Sequence, residues 1–258
     1  MEEIEYYGGK RYNTWNGHLR TKFGKKVMKI ALNGGFTCPN IDGKKGYGGC
    51  TYCSSSGSGD FAGDPAHSIL NQFEEVKSRM LKKWHEGLYM PYFQAHTNTY
   101  APASVLRERF EPVLKRDGVV GISIATRADC LENDVLEYLS ELNGRTYLIV
   151  ELGLQSIFDS TGERINRCHT YAEFLEGYNK LADRGINVCI HLINGLPGED
   201  KDMMLESAKT VAALRPHCLK LHLLHVIRGT RMERELLEGR VGLMSLEDYV
   251  DIIVRQLE

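Results

Sequence analysis

No apolar run in this 258-residue chain reaches the roughly 18–20 residues that a membrane-spanning helix requires. There is also no basic tail, no Arg-rich arm and no block of like charges. The 32 Lys and Arg stand against 34 Asp and Glu, for a formal net charge of −2. Proteins that grip a phosphate backbone non-specifically usually carry a basic feature, so the balance favours a small substrate over a large nucleic acid. Long Pro- or Ser-rich linkers are missing and composition does not shift along the chain, so a single domain over residues 1–258 is expected. Met1 to Tyr7 holds three glutamates and no apolar core, which excludes a secretory signal peptide and points to the cytoplasm.

What is present is an ordinary globular composition, 42% hydrophobic and 26% charged, with 7 cysteines. Four of these, Cys130, Cys168, Cys189 and Cys218, are scattered. In a reducing compartment such cysteines read as small buried hydrophobes.

Short β-branched runs alternate with amphipathic helical patterns. Strands are expected at Val27 to Leu32, Tyr89 to Gln94, Val119 to Ala125, Tyr147 to Leu152, Asn187 to Ile193 and Leu219 to Val226. Helices are expected at Ala66 to Trp84, Pro102 to Leu114, Glu132 to Leu142, Thr170 to Asp183, Lys201 to Leu214 and Ser245 to Leu257, the last with Ser245 as N-cap. Regular strand–helix alternation predicts parallel strands joined by right-handed crossovers. A partial (β/α)6 TIM-type barrel and a doubly wound sheet both fit this order. In either, ligands gather beyond the carboxyl ends of the strands.

The loop after the first expected strand carries Cys38, Cys50 and Cys53 among many glycines, spaced Cys-x11-Cys-x2-Cys. Three thiolates on one such loop can wrap a soft metal centre. A structural zinc site is one reading, with His67 as fourth ligand, although such sites usually have two close ligand pairs and here only Cys50 and Cys53 are close. A thiol set without metal is another. Three cysteines on a four-iron cluster would leave one iron without a protein ligand, and that iron becomes a reaction site.

The cysteine loop and the alternating strands resemble the radical S-adenosylmethionine (SAM) superfamily. The long first gap departs from the common Cys-x3-Cys-x2-Cys spacing and is similar to the YhcC/YtqA-like branch, which is related to the catalytic radical SAM domain of Elongator. Carrying this resemblance are Gly35-Phe36-Thr37-Cys38-Pro39-Asn40, Gly48-Gly49-Cys50-Thr51-Tyr52-Cys53, the stretch Tyr92 to Pro102, and Glu151-Leu152-Gly153-Leu154-Gln155. Ile165-Asn166-Arg167, His191 to Asp200 and Leu223 to Thr230 belong to the same set. The match runs from about Thr14 to the last residue. Members of the branch commonly continue past the matching helix, so either this subfamily is short or a C-terminal tail follows Glu258.

The resemblance implies a partial (β/α)6 barrel, a [4Fe–4S] cluster on Cys38, Cys50 and Cys53, and SAM lying across the strand ends. Gln94 and Asn98 would then help hold the methionyl amine, with a satisfied polar turn as the plain alternative. Arg127 would pair with the SAM carboxylate, or else with Asp129 or Glu151. Glu151 would accept from a ribose hydroxyl, with Gln155 a second polar candidate in that turn. Leu196 would pack on the adenine, and backbone near Leu223 would meet its edge. Arg167 is either structural or reaches a substrate. Among His96, His191, His222 and His225, each at or near a strand end, a pocket or core role weighs against substrate contact. Asp60, Phe61 and Asp64 are candidates for substrate contact on a loop over the mouth.

Such an enzyme implies an external one-electron donor such as flavodoxin or ferredoxin, a 5′-deoxyadenosyl radical, and hydrogen abstraction from a small substrate. The sequence is also similar to the queuine-salvage lyases of this branch, which implies C–N cleavage of queuine or a related 7-deazapurine. A carboxylate from Asp60, Asp64 or Glu199 would face the guanine-like edge. Modification of an RNA nucleotide or another metabolite is the enzymatic alternative, and a cluster-bearing electron carrier or sensor without SAM chemistry is the alternative of another class.

Overall fold

Residues 12–258 are described by a computed structural model, so the expectation for Met1 to Tyr7 lies outside the described residues. The chain opens with α1 (Trp15–Phe23), β1 (Val27–Leu32), α2 (Ile69–Leu81) and β2 (Leu88–Phe93). Then come α3 (Ala103–Leu114), β3 (Gly121–Thr126), α4 (Asn133–Arg145) and β4 (Tyr147–Gln155). After α5 (Asp159–Arg164) and α6 (Tyr171–Ala182) follow β5 (Asn187–Asn194), α7 (Lys201–Ala213) and β6 (Cys218–Leu223). Two helices close the chain, α8 (Arg231–Leu237) and α9 (Leu246–Leu257).

The strands form one sheet in the order β1-β2-β3-β4-β5-β6, every neighbouring pair parallel. That sequential order is the winding of a barrel, and it removes the doubly wound alternative, whose strand order reverses at a switch point. The result is a curled half-barrel, the expected partial (β/α)6 architecture.

Strand alternation gives the sheet two unlike faces. Leu148, Val150, Leu152 and Leu154 of β4 and Val188, Ile190 and Leu192 of β5 join Phe93, Phe110, Tyr138 and Phe174 in one apolar core between sheet and helices. Within it Phe93 and Phe110 pack with ring centroids 4.4 Å apart and planes tilted by 50°. Burying each such side chain contributes roughly 1.5–3 kcal/mol. The opposite face carries Lys29, Tyr92, Ser123, Glu151, His191, Lys220 and His222, and most of these line the cleft described below.

Several boundaries differ from the sequence expectation. Helix α1 was not anticipated. Thr14 caps it by accepting from the Gly17 N–H at 3.0 Å, and Trp15, Leu19 and Phe23 pack with Val27 and Met90 across the amino ends of the strands. Strand β4 runs on to Gln155, because Gly153 is accommodated by a register shift against β5 and does not end the pairing. Glu151 therefore lies inside the strand and not at its end. Strand β6 stops at Leu223, three residues early, and α5 and α8 were likewise not foreseen. Helix α9 begins as expected, with the Ser245 hydroxyl accepting from the Asp248 N–H at 3.0 Å. No helix among the described residues is long and apolar enough to cross a membrane.

Candidate active site

The carboxyl ends of the strands and the loop after β1 enclose one cleft of about 910 Å³, open to solvent. Cys38, Cys50 and Cys53 stand together on its upper wall. Their loop is tied down locally. The Cys38 carbonyl accepts from the N–H groups of Ile41 and Asp42 at 2.8 and 3.2 Å, and the Cys50 carbonyl accepts from that of Cys53 at 3.0 Å. Asn166, in the turn after α5, donates to the carbonyls of Gly49 at 2.7 Å and Tyr47 at 3.1 Å and so staples the loop from across the cleft. Asn40 Nδ2 lies 3.6 Å from Cys50 Sγ, and Ser58 Oγ lies 3.5 Å from Cys53 Sγ. The Cys50 and Cys53 side chains hydrogen-bond to each other, which raises the first thiol and lowers the second.

Below the cysteines lies a ring of strand-end groups. Gln155 sits at φ 66 where β4 shifts register, and its amide fills the space above Gly153 that a Cβ would take. His96 follows β2 at φ 59, a costly conformation for a non-glycine residue. It is held by donating its N–H to the Gly57 carbonyl at 2.8 Å, and its ring packs where any side chain on Gly57 would stand. Arg127 makes a two-pronged bond to Asp129, at 2.9 and 2.8 Å, and donates to the carbonyls of Arg167 and Cys168. Burial opposes its charge, but the Asp129 pairing more than offsets that and raises its pKa. Beside it His169 is buried with both ring nitrogens unpartnered, and burial with the Arg127 and Arg167 charges holds it down to about 3.

The floor is an ionic cluster on the inner face of the sheet. Glu151 is buried, and its Oε1 accepts short hydrogen bonds from Lys29 and Ser123. Its Oε2 accepts from His191 Nε2 at 2.8 Å and lies 3.9 Å from Lys220 Nζ. Burial alone would raise this carboxyl. The His191 bond and the Lys29 charge overcome it, holding the pKa well below 4.5. Both lysines also stand over the Tyr92 ring, at 4.4 Å for Lys29 and 5.7 Å for Lys220.

The cleft thus brings together Cys38, Cys50, Cys53, Gln94, His96, Arg127, Glu151, Gln155, Arg167, His191 and His222. It leaves out the other expected residues, each for a visible reason. The Asn98 amide is spent on the carbonyls of Phe93, Ala95 and Ala125, tying β2 to β3, although its Oδ1 stays buried and unpartnered. Leu196 is packed among Ile165, Leu224, Met232 and Val241. Leu223 ends β6 outside the lining. Asp60 is engaged by the hydroxyls of Ser54 and Ser56, Phe61 is 84% exposed, and Asp64 accepts from the Ala66 N–H. Glu199 bonds Ser156, and His225 is exposed. Arg167 lines the cleft yet is fully committed, donating to the carbonyls of Leu154, Ser156 and His169. His67, the proposed fourth zinc ligand, pairs instead with Glu75 at 2.8 Å. Lys29, Tyr92, Ser123, Lys220 and His169 were missed. All but His169 interrupt the apolar run of a strand on its inner parity, and that signal was available.

The donor set fits an iron–sulfur cluster. Three cysteines share one wall, hydrogen-bond donors approach two of the sulfurs, and the buried, unpartnered His96 Nδ1 belongs to a residue of the same lining.

A profile of the radical SAM superfamily matches residues 45–211, and one of a radical SAM C-terminal domain matches residues 216–258. The chain is 56% identical over 249 residues to the uncharacterized protein YtqA of Bacillus subtilis, covering 96% of this chain and 77% of that one. It is 37% identical over 241 residues to protein YhcC of Escherichia coli, with 93% and 77% covered. Among solved structures, the archaeal Elp3 of Methanocaldococcus infernus superposes with a TM-score of 0.66 at 18% identity, covering 89% of this chain and 53% of that one. The chain therefore spans about half of that archaeal protein. Half-barrel and cysteine-lined cleft together define an iron–sulfur enzyme of the SAM-dependent kind. The chain belongs to the radical SAM superfamily, in its YhcC-like branch, and its cofactors are a [4Fe–4S] cluster and SAM.

Proposed function

We propose that this protein cleaves SAM reductively in the cleft and abstracts hydrogen from a small molecule bound on its floor, the favoured substrate being queuine or a related 7-deazapurine that undergoes C–N cleavage. The observation that carries the reading is the stacking of two chemistries in one cleft, three cysteines above and a buried ionic floor below. Bound together, the cluster and SAM supply a 5′-deoxyadenosyl radical, so the protein has no difficult bond to break by itself. Cys38, Cys50 and Cys53 hold the cluster. Gln94, Gln155 and the strand-end backbone orient SAM, and Asn98 and Arg127 act at one remove, fixing the β2–β3 ends and the turns after β3 and α5.

Glu151, not Asp60, Asp64 or Glu199, is the carboxylate at the cleft; its oxygens are taken by Lys29, Ser123 and His191, so it orients the groups of the floor and does not itself meet the substrate. The similarity to queuine-salvage lyases favours the same substrate. The residues form one functional domain, acting in the cytoplasm with a flavodoxin- or ferredoxin-like electron donor.

Anaerobic turnover of the reconstituted protein with SAM and dithionite, with and without queuine, tests this by mass spectrometry. Queuine-dependent 5′-deoxyadenosine together with a truncated 7-deazaguanine is the expected result. Slow 5′-deoxyadenosine without loss of queuine would discard the substrate, and dependence on added structured RNA would favour RNA modification. A full cluster without any SAM cleavage would leave an electron carrier or sensor.

A further inference from the structure

A C–N bond that breaks with its electron pair on nitrogen and the unpaired electron on the carbon fragment leaves a nitrogen that needs a proton, and nothing in the upper cleft is built to deliver one. His96 and His169 are held neutral by burial, and Arg127 and Arg167 are locked by their partners. The floor is different. Glu151 Oε2 receives His191 Nε2 at 2.8 Å, and His191 Nδ1 faces His222 Nε2 at 3.4 Å, with the two rings 5.0 Å apart at 48°. Both imidazoles line the cleft.

We propose that Glu151, His191 and His222 form a proton relay whose outer imidazole, His222, passes a proton to the substrate atom released by bond cleavage. The proposal rests on the reading that a substrate is cleaved in this cleft. Glu151 and His191 are positioning residues, and His222 is the catalytic residue.

The tautomers follow from the partners. Glu151 is ionised and can only accept, so His191 Nε2 must carry hydrogen. With His191 a cation, its Nδ1–H donates to His222 Nε2, and His222 carries its own hydrogen on Nδ1. When His222 gives that proton away, the His191 Nδ1 proton moves to His222 Nε2. His191 becomes neutral and His222 keeps one hydrogen throughout. One proton leaves the relay, and no imidazole passes through a dication or an anion.

The surrounding charges favour this arrangement. On β5 the Cys189 thiol is held protonated by its bond to Cys218 of β6 and by burial. Burial opposes charge on His191, but the hydrogen bond to the ionised Glu151 carboxylate and its charge favour the cation, and its pKa is raised. His222 is held down to about 3 by burial, by His191 and by Lys220, against the pull of Glu151, with His225 adding to the push. Lys29 from β1 and Tyr92 from β2 complete the groups facing Glu151. The trio Glu151, Cys189 and His191 does bring its ligand atoms within 4.8 Å of one another. A divalent ion there would have to displace the Lys29 ammonium and deprotonate a thiol that burial protects, so the set is a proton site and not a metal site.

Two measurements test the relay. In the reconstituted holoenzyme with queuine, His222→Gln should lower the cleaved product formed per 5′-deoxyadenosine about 100-fold, the scale of a lost general acid. The wild-type ratio should fall as pH rises through the titration of His191, and the variant's ratio should be flat. An unchanged ratio in the variant would overturn the proposal. Independently of turnover, 15N NMR of histidine-labelled protein without substrate should show His191 doubly protonated and His222 neutral at pH 7. Two rings titrating separately near the ordinary 6.5 would overturn it, as would stoichiometric zinc uptake abolished by Cys189→Ser. If wild type leaves queuine untouched, the substrate assignment fails while the NMR measurement still decides the relay.

Discussion

Along β4, Leu148, Val150, Leu152 and Leu154 turn toward the helices, while Glu151, Gly153 and Gln155 turn toward the cleft. Successive residues of one strand thus belong to two regions with opposite rules. The outer face is apolar and sealed, and its contribution is area removed from water. The inner face holds a buried carboxylate, imidazoles and two lysines, groups that cost free energy to bury unless each finds a partner. A fold can carry such a floor only because the other face supplies the stability. The comparison separates what holds the molecule together from what the molecule does.

The separation can be pushed hardest at the cleft's upper wall. Cys38→Ala should abolish the visible absorbance of the reconstituted cluster and all SAM cleavage, yet leave the far-UV circular dichroism and the urea midpoint of the apo protein near wild type. Retained SAM cleavage would break the assignment. The outer face should show the reverse. Leu152→Ala should cost about 2–5 kcal/mol in urea unfolding, while the folded fraction still takes up iron.

A substitution one residue away crosses from one region to the other. Glu151→Gln should cost about 1–3 kcal/mol near neutral pH, the scale of lost hydrogen bonds to a charged group. Its sign with pH is definite. The carboxyl's folded pKa lies below the unfolded 4.5, so its stabilisation is present above 4.5 and is lost as pH falls through the folded value. Melting temperature against pH should therefore fall more steeply on acidification in wild type than in the Gln variant. Equal slopes would mean the floor is not ionised as described. The smallest effect belongs to neither face: Ser245→Ala should cost about 1 kcal/mol and raise hydrogen exchange only in the first turn of α9.

Much of this arrangement was legible in the sequence because its causes are local. The strand–helix alternation and the cysteine spacing need no tertiary information, whereas the order of the strands does, because right-handed crossovers serve a doubly wound sheet equally well. Glu151 was misplaced for a physical reason. Gly153 reads as a strand end, but a parallel neighbour absorbed it through a register shift, so pairing continued to Gln155. Leu196 looked like an adenine contact from its turn, whereas α8 and the segment after it supply an apolar pocket that claims it. Arg167 could not be assigned from sequence, because its role is set by the carbonyls of Leu154 and Ser156 at the end of β4 and of the nearby His169, which only the folded turn brings together. Lys29, Lys220 and Tyr92 were readable in principle as polar interruptions on the inner parity of β1, β6 and β2.

The sheet ends at β6 and does not close back on β1. Eight strands would shut the wall, and six leave an arc with a missing side. Lys220 shows the effect: it points inward, yet its side chain is 43% exposed. A reactive species made inside such a vessel is only as well contained as whatever fills the gap. Turnover fidelity, the fraction of cleaved SAM that ends in substrate chemistry rather than in leakage, is therefore set by how completely the occupant of the floor plugs that opening.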